Sequence, residues 1–230
     1  MPGPVRAGNT YGWYRNKITR YEFEGRMGSY WHKHGRGVVR DQHGMLTLNT
    51  TRHGDVSVTL DRPGHAYGRW EIRLRSRRYE TRHTNFRVVT DLVPAGRHRQ
   101  HCGGNEIGLE NYQLGRRFSA FYIHRLPHYD FRAKQYQSLH NDQWHTFAVE
   151  ATPTHISWFV DAHVVRTERR PAALGSTPLT VRFTMRSEAG HTMNRSRMQM
   201  DWLLYWTDEY PSTRSISAPR TTKTTFPAAC

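Results

Sequence analysis

Period-two alternation dominates this sequence. Val56-Ser57-Val58-Thr59-Leu60 alternates apolar and polar residues, and residues 70–75 and 86–92 do the same. Successive side chains of a strand point to opposite faces, so such runs read as strands with one buried face. Further strands are expected at 45–48, 117–123, 146–150, 155–160, 164–167, 179–185 and 198–206, with Gly, Pro, Asn or Asp between them. No window reads as a helix longer than a turn or two, and no internal repeat is visible. Many short alternating strands predict an all-β sandwich or barrel. A chain of 230 residues buries roughly 70–75% of its unfolded surface as one domain, so it needs neither disulfide nor metal to stay folded. One domain over 1–210 is expected. The Ser-, Thr- and Pro-rich stretch 211–230 reads as a loose tail.

Charge and cysteine content narrow the partners. The formal charge is +15, carried almost entirely by arginine, so the surface attracts polyanions in a salt-dependent way. The arginines are spread over the whole chain, with no basic tail, zinc finger or RNA-binding signature, so nucleic acid is not expected as the partner. Cys102 and Cys230 make neither a disulfide framework nor a zinc-ligand spacing. No run of about 20 apolar residues is present to span a membrane, and Met1-Pro2-Gly3-Pro4-Val5-Arg6 lacks the apolar core of a signal peptide.

The run Asn105-Glu106-Ile107-Gly108-Leu109-Glu110-Asn111-Tyr112 points to chemistry. In a regular strand Glu106, Gly108 and Glu110 share one face, and Ile107 and Leu109 turn to the other. Two carboxyl groups on a rigid element are what glycosidic bond cleavage uses, and retaining enzymes hold them about 5–5.5 Å apart. Four strand residues span about 13 Å between Cα atoms, a distance that two glutamate side chains leaning together can close.

The flanking segments resemble glycoside hydrolase family 16, the laminarinase, lichenase, agarase and carrageenase group. Tyr21-Glu22-Phe23-Glu24-Gly25 followed by Trp31 is similar to its opening strand, and Gly44-Met45-Leu46-Thr47-Leu48 to its G-x-L-x-L strand. Tyr67-Gly68-Arg69-Trp70-Glu71 resembles Y-G-R-x-E. Trp144-His145-Thr146-Phe147-Ala148-Val149-Glu150, with His155-Ile156-Ser157-Trp158-Phe159-Val160-Asp161, resembles W-H-x-Y-x-x-E followed by I-x-W-Y-V-D-G. Met200-Asp201-Trp202-Leu203-Leu204-Tyr205 resembles the closing V-D-W-V-R-V-Y. The family's catalytic signature is E-x-D-x-E, or a bulged E-x-D-x-x-E. Here Glu106 to Glu110 reads as the unbulged form, with Gly108 where the family keeps an aspartate.

The resemblance implies a concanavalin A-like β-jelly roll of two packed antiparallel sheets, with a concave polysaccharide cleft. It implies a secreted, endo-acting, retaining glycoside hydrolase, monomeric, whose signal peptide is absent from this sequence. Glu106 would be the nucleophile and Glu110 the acid/base. Asn85, Arg87, Tyr122 and His124 would line the cleft, and Trp13 would wall it. Trp31, Trp158 and Trp202 fall at core positions. No cofactor is required; a structural calcium, held in some relatives with help from an acid at the Asp201 position, is the one metal the resemblance allows. Gly108 removes a partner that would orient Glu106, so a weakened relative that binds glycans at a cell surface is the alternative. The stretch 86–94 lacks the family's subsite tryptophan, while Arg82, His83, Arg87, Arg97, His98, Arg99 and His101 crowd around it. Such a cleft suits an acidic or unusual glycan.

Overall fold

The computed structural model describes residues 5–96, 105–127, 129–139 and 141–225. Two eight-stranded antiparallel sheets account for the architecture. Sheet A contains β1 (Ile18–Glu22), β3 (Val38–Asp41), β4 (Leu46–Asn49), β6 (Gly68–Arg78), β11 (His145–Ala151), β12 (Ile156–Val160), β13 (His163–Glu168) and β15 (Ser196–Trp206). Sheet B contains β2 (Trp31–Gly35), β5 (Val56–Leu60), β7 (Arg87–Pro94), β8 (Glu106–Gln113), β9 (Phe118–Arg125), β10 (Tyr129–Tyr136), β14 (Leu179–Arg186) and β16 (Thr222–Thr225). Sheet A runs β13-β12-β11-β6-β15-β4-β3, with β1 also on β15, and sheet B runs β16-β10-β9-β8-β7-β14-β5-β2. Among the described residues no helix is long and apolar enough to cross a membrane.

The alternation seen in the sequence builds the core between the sheets. Trp70, Ile72 and Leu74 of β6 and Leu203 and Tyr205 of β15 meet Val88 and Leu92 of β7, Phe121 and Ile123 of β9, and Val181, Phe183 and Met185 of β14. Each fully buried side chain of this size contributes about 1.5–3 kcal/mol, so the inner face of every central strand is fixed. The outer faces are therefore left for other purposes.

Sheet A closes its outer face. The segment before β1 lies across it, and Ala7, Tyr11 and Trp13 pack on Ala148, Phe159, Trp202, Leu204 and Trp206. Trp13 is fully buried, with its ring edge-on to Phe159 and Trp206. It is thus a core residue on the far side of the sandwich and not a wall of the cleft. Trp31 and Trp158 belong to the main core, and Trp202 to this second cluster.

The stretch expected as a loose tail is docked as far as residue 225. Trp13 Nε1 donates to Ser212 Oγ (3.0 Å), and Ser212 Oγ donates to Glu150. Thr221 Oγ1 donates to Glu168, and Thr222–Thr225 pair with β10. Backbone pairing and buried acceptors hold this segment, neither of which depends on apolar residues, so composition alone hid them.

Candidate active site

The strand carrying the glutamates is bulged. Along β9, Gly108 opposes Tyr122 and Asn111 opposes Ala120, so three steps on β8 match two on β9. Along β7, Asp91 opposes Gly108 and Thr90 opposes Glu110. An extra residue in one strand reverses the alternation beyond it. Ile107 and Leu109 face the core before the bulge, and Tyr112 and Leu114 face it afterwards. Trp158, reaching across from β12, donates its indole N–H to the Gly108 carbonyl at 2.9 Å. Sheet A thereby satisfies a backbone group inside the bulged stretch.

The reversal overturns the unbulged reading and separates the two glutamates. Glu106 lines a cleft of about 440 Å³ on the outer face of sheet B, together with Arg87, Asn111, Tyr122, His124, Arg132, Lys134 and Arg186. Glu110 does not line that cleft. It has no exposed surface, and neither of its carboxyl oxygens has a hydrogen-bond partner of good geometry. Burial pushes its pKa well above the ordinary range; Thr90 works against the shift and Asp91 adds to it. Asn111 occupies the outward position instead, where its Oδ1 accepts from Arg87 Nη1 at 2.9 Å.

Glu106 sits in a charged network. Arg182, the outward residue at the middle of β14, grips Asp91 with two hydrogen bonds, Nε to Oδ1 at 3.0 Å and Nη2 to Oδ2 at 2.6 Å. The same Nη2 reaches Glu106 Oε1 at 3.3 Å. Tyr122 Oη donates to Asp91 Oδ2 at 3.0 Å. Burial and then Asp91 raise the Glu106 pKa, Arg182 and Arg186 oppose the shift, and the outcome is about 7. Perturbation of this size in a cleft-lining acid is characteristic of reactive groups.

His124 stands directly across from Glu106 in the β8–β9 register. Its Nδ1 is 3.2 Å from Asp130, which is itself buried and is also held by Arg132. Burial draws the imidazole below its ordinary pKa although Asp130 acts the other way, so neutral imidazole dominates at neutral pH.

Of the other expected cleft residues, Arg87 and Tyr122 line the site. Asn85 does not: its Oδ1 accepts from Asn194 Nδ2 at 2.6 Å and braces the end of β7. Asp201, the candidate calcium ligand, is taken up by Arg73 at 2.5 Å. Among the described residues no three His, Cys, Asp or Glu side chains gather as a metal site. Cys102, Cys230, Arg97, His98, Arg99 and His101 lie outside the described residues. Asp91 and Arg182 were not foreseen. The usable signal was an acid inside the apolar run Val88-Val89-Thr90-Asp91-Leu92-Val93, because a buried carboxylate requires a cation or several donors.

Comparison with known proteins agrees with this architecture. The family model for glycosyl hydrolases family 16 matches residues 26–204. The fold is similar to the endo-beta-1,3-glucanase from Pyrococcus furiosus, with TM-score 0.66, 10% identity, and coverage of 82% of this chain and 93% of that one. It is also similar to the laminarinase from Rhodothermus marinus (TM-score 0.65, 13% identity, 82% and 96% covered). A third solved structure, the endo-1,3-beta-glucanase catalytic domain from Thermotoga petrophila, gives TM-score 0.63 at 13% identity, with 84% and 100% covered. No curated protein matches by sequence. The two sheets thus form the jelly roll of these glucanases. In the bulged spacing E-x-D-x-x-E, the three signature positions fall on Glu106, Gly108 and Asn111.

Proposed function

This chain belongs to glycosyl hydrolases family 16, glycan-cleaving hydrolases on a β-jelly roll, and from that premise we propose that it attacks an anionic polysaccharide with Glu106 as the nucleophile. One observation carries the proposal: Glu106 lies in a single cleft with the cations Arg87, Arg132, Lys134 and Arg186. Sulfate or uronate groups of a chain laid across that face would find guanidinium partners, whose planar forks suit such oxyanions. Endo action and secretion are part of the same proposal, which takes the substrate to be a polymer outside the cell.

The remaining groups define the chemistry. Glu106 carboxylate would attack the anomeric carbon and form a glycosyl-enzyme bond as the leaving oxygen departs. Asn111 can hydrogen-bond that oxygen but has no proton to give it, so the oxygen leaves as an anion and takes its proton from solvent water. Neutral His124 suits the second half, taking a proton from the water that releases the sugar. The first half then depends on the leaving group, so substrates with acidic leaving groups should react fastest. Because Glu106 must be ionised to attack, the rate should rise with pH through about 7. A second reading, glycan binding with little cleavage, is favoured by Asn111 alone.

The test is release of new reducing ends from a panel of sulfated, uronic and neutral polysaccharides, with an aryl glycoside as a low-demand substrate. Cleavage of an anionic member, with Glu106→Gln at least about a thousandfold slower, supports the hydrolase. Retention on an anionic glycan with no product, and no difference for Glu106→Gln, supports the binder. Cleavage of neutral glycans alone overturns the anionic substrate.

A further inference from the structure

We propose that Asp91, on the strand beside the catalytic one, is the positioning residue for Glu106, supplying from β7 the carboxylate that Gly108 cannot supply from β8. The proposal rests on Glu106 being the reacting group. Asp91 is fully buried and is the direct cross-strand partner of Gly108. Its carboxylate fixes Arg182 by a two-point grip, and the Arg182 Nη2 that bonds Asp91 is also the atom touching Glu106. A guanidinium held at two points has little freedom, so it presents its remaining N–H in one direction. Tyr122 completes the frame, bonding Asp91 through its hydroxyl while its ring lies over Gly108.

Gly108, Tyr122 and Asp91 thus form one packing solution. A Cβ at position 108 would lie 2.2, 2.5 and 2.7 Å from three atoms of the Tyr122 ring. An aspartate there and Tyr122 in its present place exclude each other. The glycine is therefore the accommodation to a carboxylate arriving from the neighbouring strand, and restoring aspartate at 108 alone would break the frame. Among the described residues, the charged and titratable groups nearest Glu106 are Asp91 from β7, Arg182 and Arg186 from β14, and Tyr122 and His124 from β9, with Arg87, Arg132 and Lys134 further along the cleft. Asp91 is the one acid among these described groups. Its removal takes away the negative charge that competes with those cations at Glu106.

The experiment is a carboxyl ¹³C NMR titration of protein labelled at glutamate Cδ, which needs no substrate. The resonance lost in Glu106→Gln identifies Glu106. Its midpoint should lie near 7 in the wild type and fall by about one pH unit or more in Asp91→Asn, as expected when a neighbouring like charge is removed. An unchanged midpoint in folded Asp91→Asn overturns the proposal. Asp91→Glu keeps the charge but lengthens the arm, and its NMR spectrum reports whether it is folded. On a cleaved glycan it should lower kcat about 10- to 100-fold with KM unchanged, and an unchanged kcat would equally overturn the positioning role. Failure of the functional reading shows differently: full cleavage by Glu106→Gln removes that reading while the NMR result still stands.

Discussion

The two outer faces of the sandwich carry buried acids and treat them oppositely. On sheet A, Arg69 Nε bonds Glu150 at 2.8 Å, and Ser212 and His155 complete its surroundings. Burial would raise the Glu150 pKa, but His155 and Arg69 hold it below the ordinary value. Glu71 takes the backbone N–H groups of Ala7 and Gly8 at 2.6 and 3.2 Å; burial still raises its pKa to about 7, so on this face it is Glu150 that contrasts with Glu106 in charge, while Glu71 contrasts in being sealed. Terminal segments and the five aromatic rings of Tyr11, Trp13, Phe159, Trp202 and Trp206 then seal this face. On sheet B, among the described residues, Glu106 has one long hydrogen bond, to a guanidinium already committed to Asp91, and a cleft lies over it. Stability is gained where buried charges are given enough partners, and reactivity remains where one is left short.

Substitutions on each face should separate these roles. Glu106→Gln should bring the largest change, a loss of at least about a thousandfold in cleavage, equivalent to about 4 kcal/mol of barrier, with the unfolding midpoint at neutral pH unchanged or raised. Trp13→Ala should do the reverse. It should cost about 3–5 kcal/mol of stability in urea unfolding and leave glycan retention at the wild-type level in the fraction still folded. If it weakens retention instead, the far face is coupled to the cleft and the contrast fails.

Glu110→Gln tests the buried side of the bulge. Unfolded Glu110 ionises above about 4.5, whereas the folded carboxyl stays protonated to much higher pH. The unfolded state then holds fewer protons, so this group's contribution to stability is complete at low pH and is lost as pH rises. Glu106 and Glu71, both at about 7, act in the same sense up to that pH. Unfolding free energies at pH 5 and pH 8 should therefore show a smaller drop in Glu110→Gln, which should be more stable than the wild type by about 1–3 kcal/mol at pH 8. The smallest effect is expected for Arg186→Ala: roughly a fivefold loss in retention on an anionic glycan at low salt, vanishing at high salt.

Most of the strands and the all-β class were legible because apolar alternation reports directly on burial, whereas the two packed antiparallel sheets and the core positions of Trp31, Trp158 and Trp202 came from the family resemblance. Where that signal is thin, strands were missed. β10 offers Phe131 and Ala133 among Asp130, Arg132 and Lys134, and β16 consists of Thr and Lys alone. The site was legible in part. Glu106, Arg87, Tyr122 and His124 do meet in one cleft, but the bulge was hidden because Leu109-Glu110 fits simple alternation. Its trace is the spacing of the core residues Ile107, Leu109, Tyr112 and Leu114, which steps by three between Leu109 and Tyr112. The Asp91–Arg182 pair joins residues 91 positions apart, and nothing local encodes it.

The claim that Asn111, and not Glu110, faces the substrate beside Glu106 is tested most directly by the initial rate of reducing-end release by Asn111→Glu. A carboxyl restored at that outward position can protonate the leaving oxygen, so cleavage should rise by at least about tenfold, with the gain greatest for substrates with poor leaving groups. An unchanged or lower rate, alongside loss of cleavage in Glu110→Gln, would show that Glu110 is the working acid and that the bulge does not set the site.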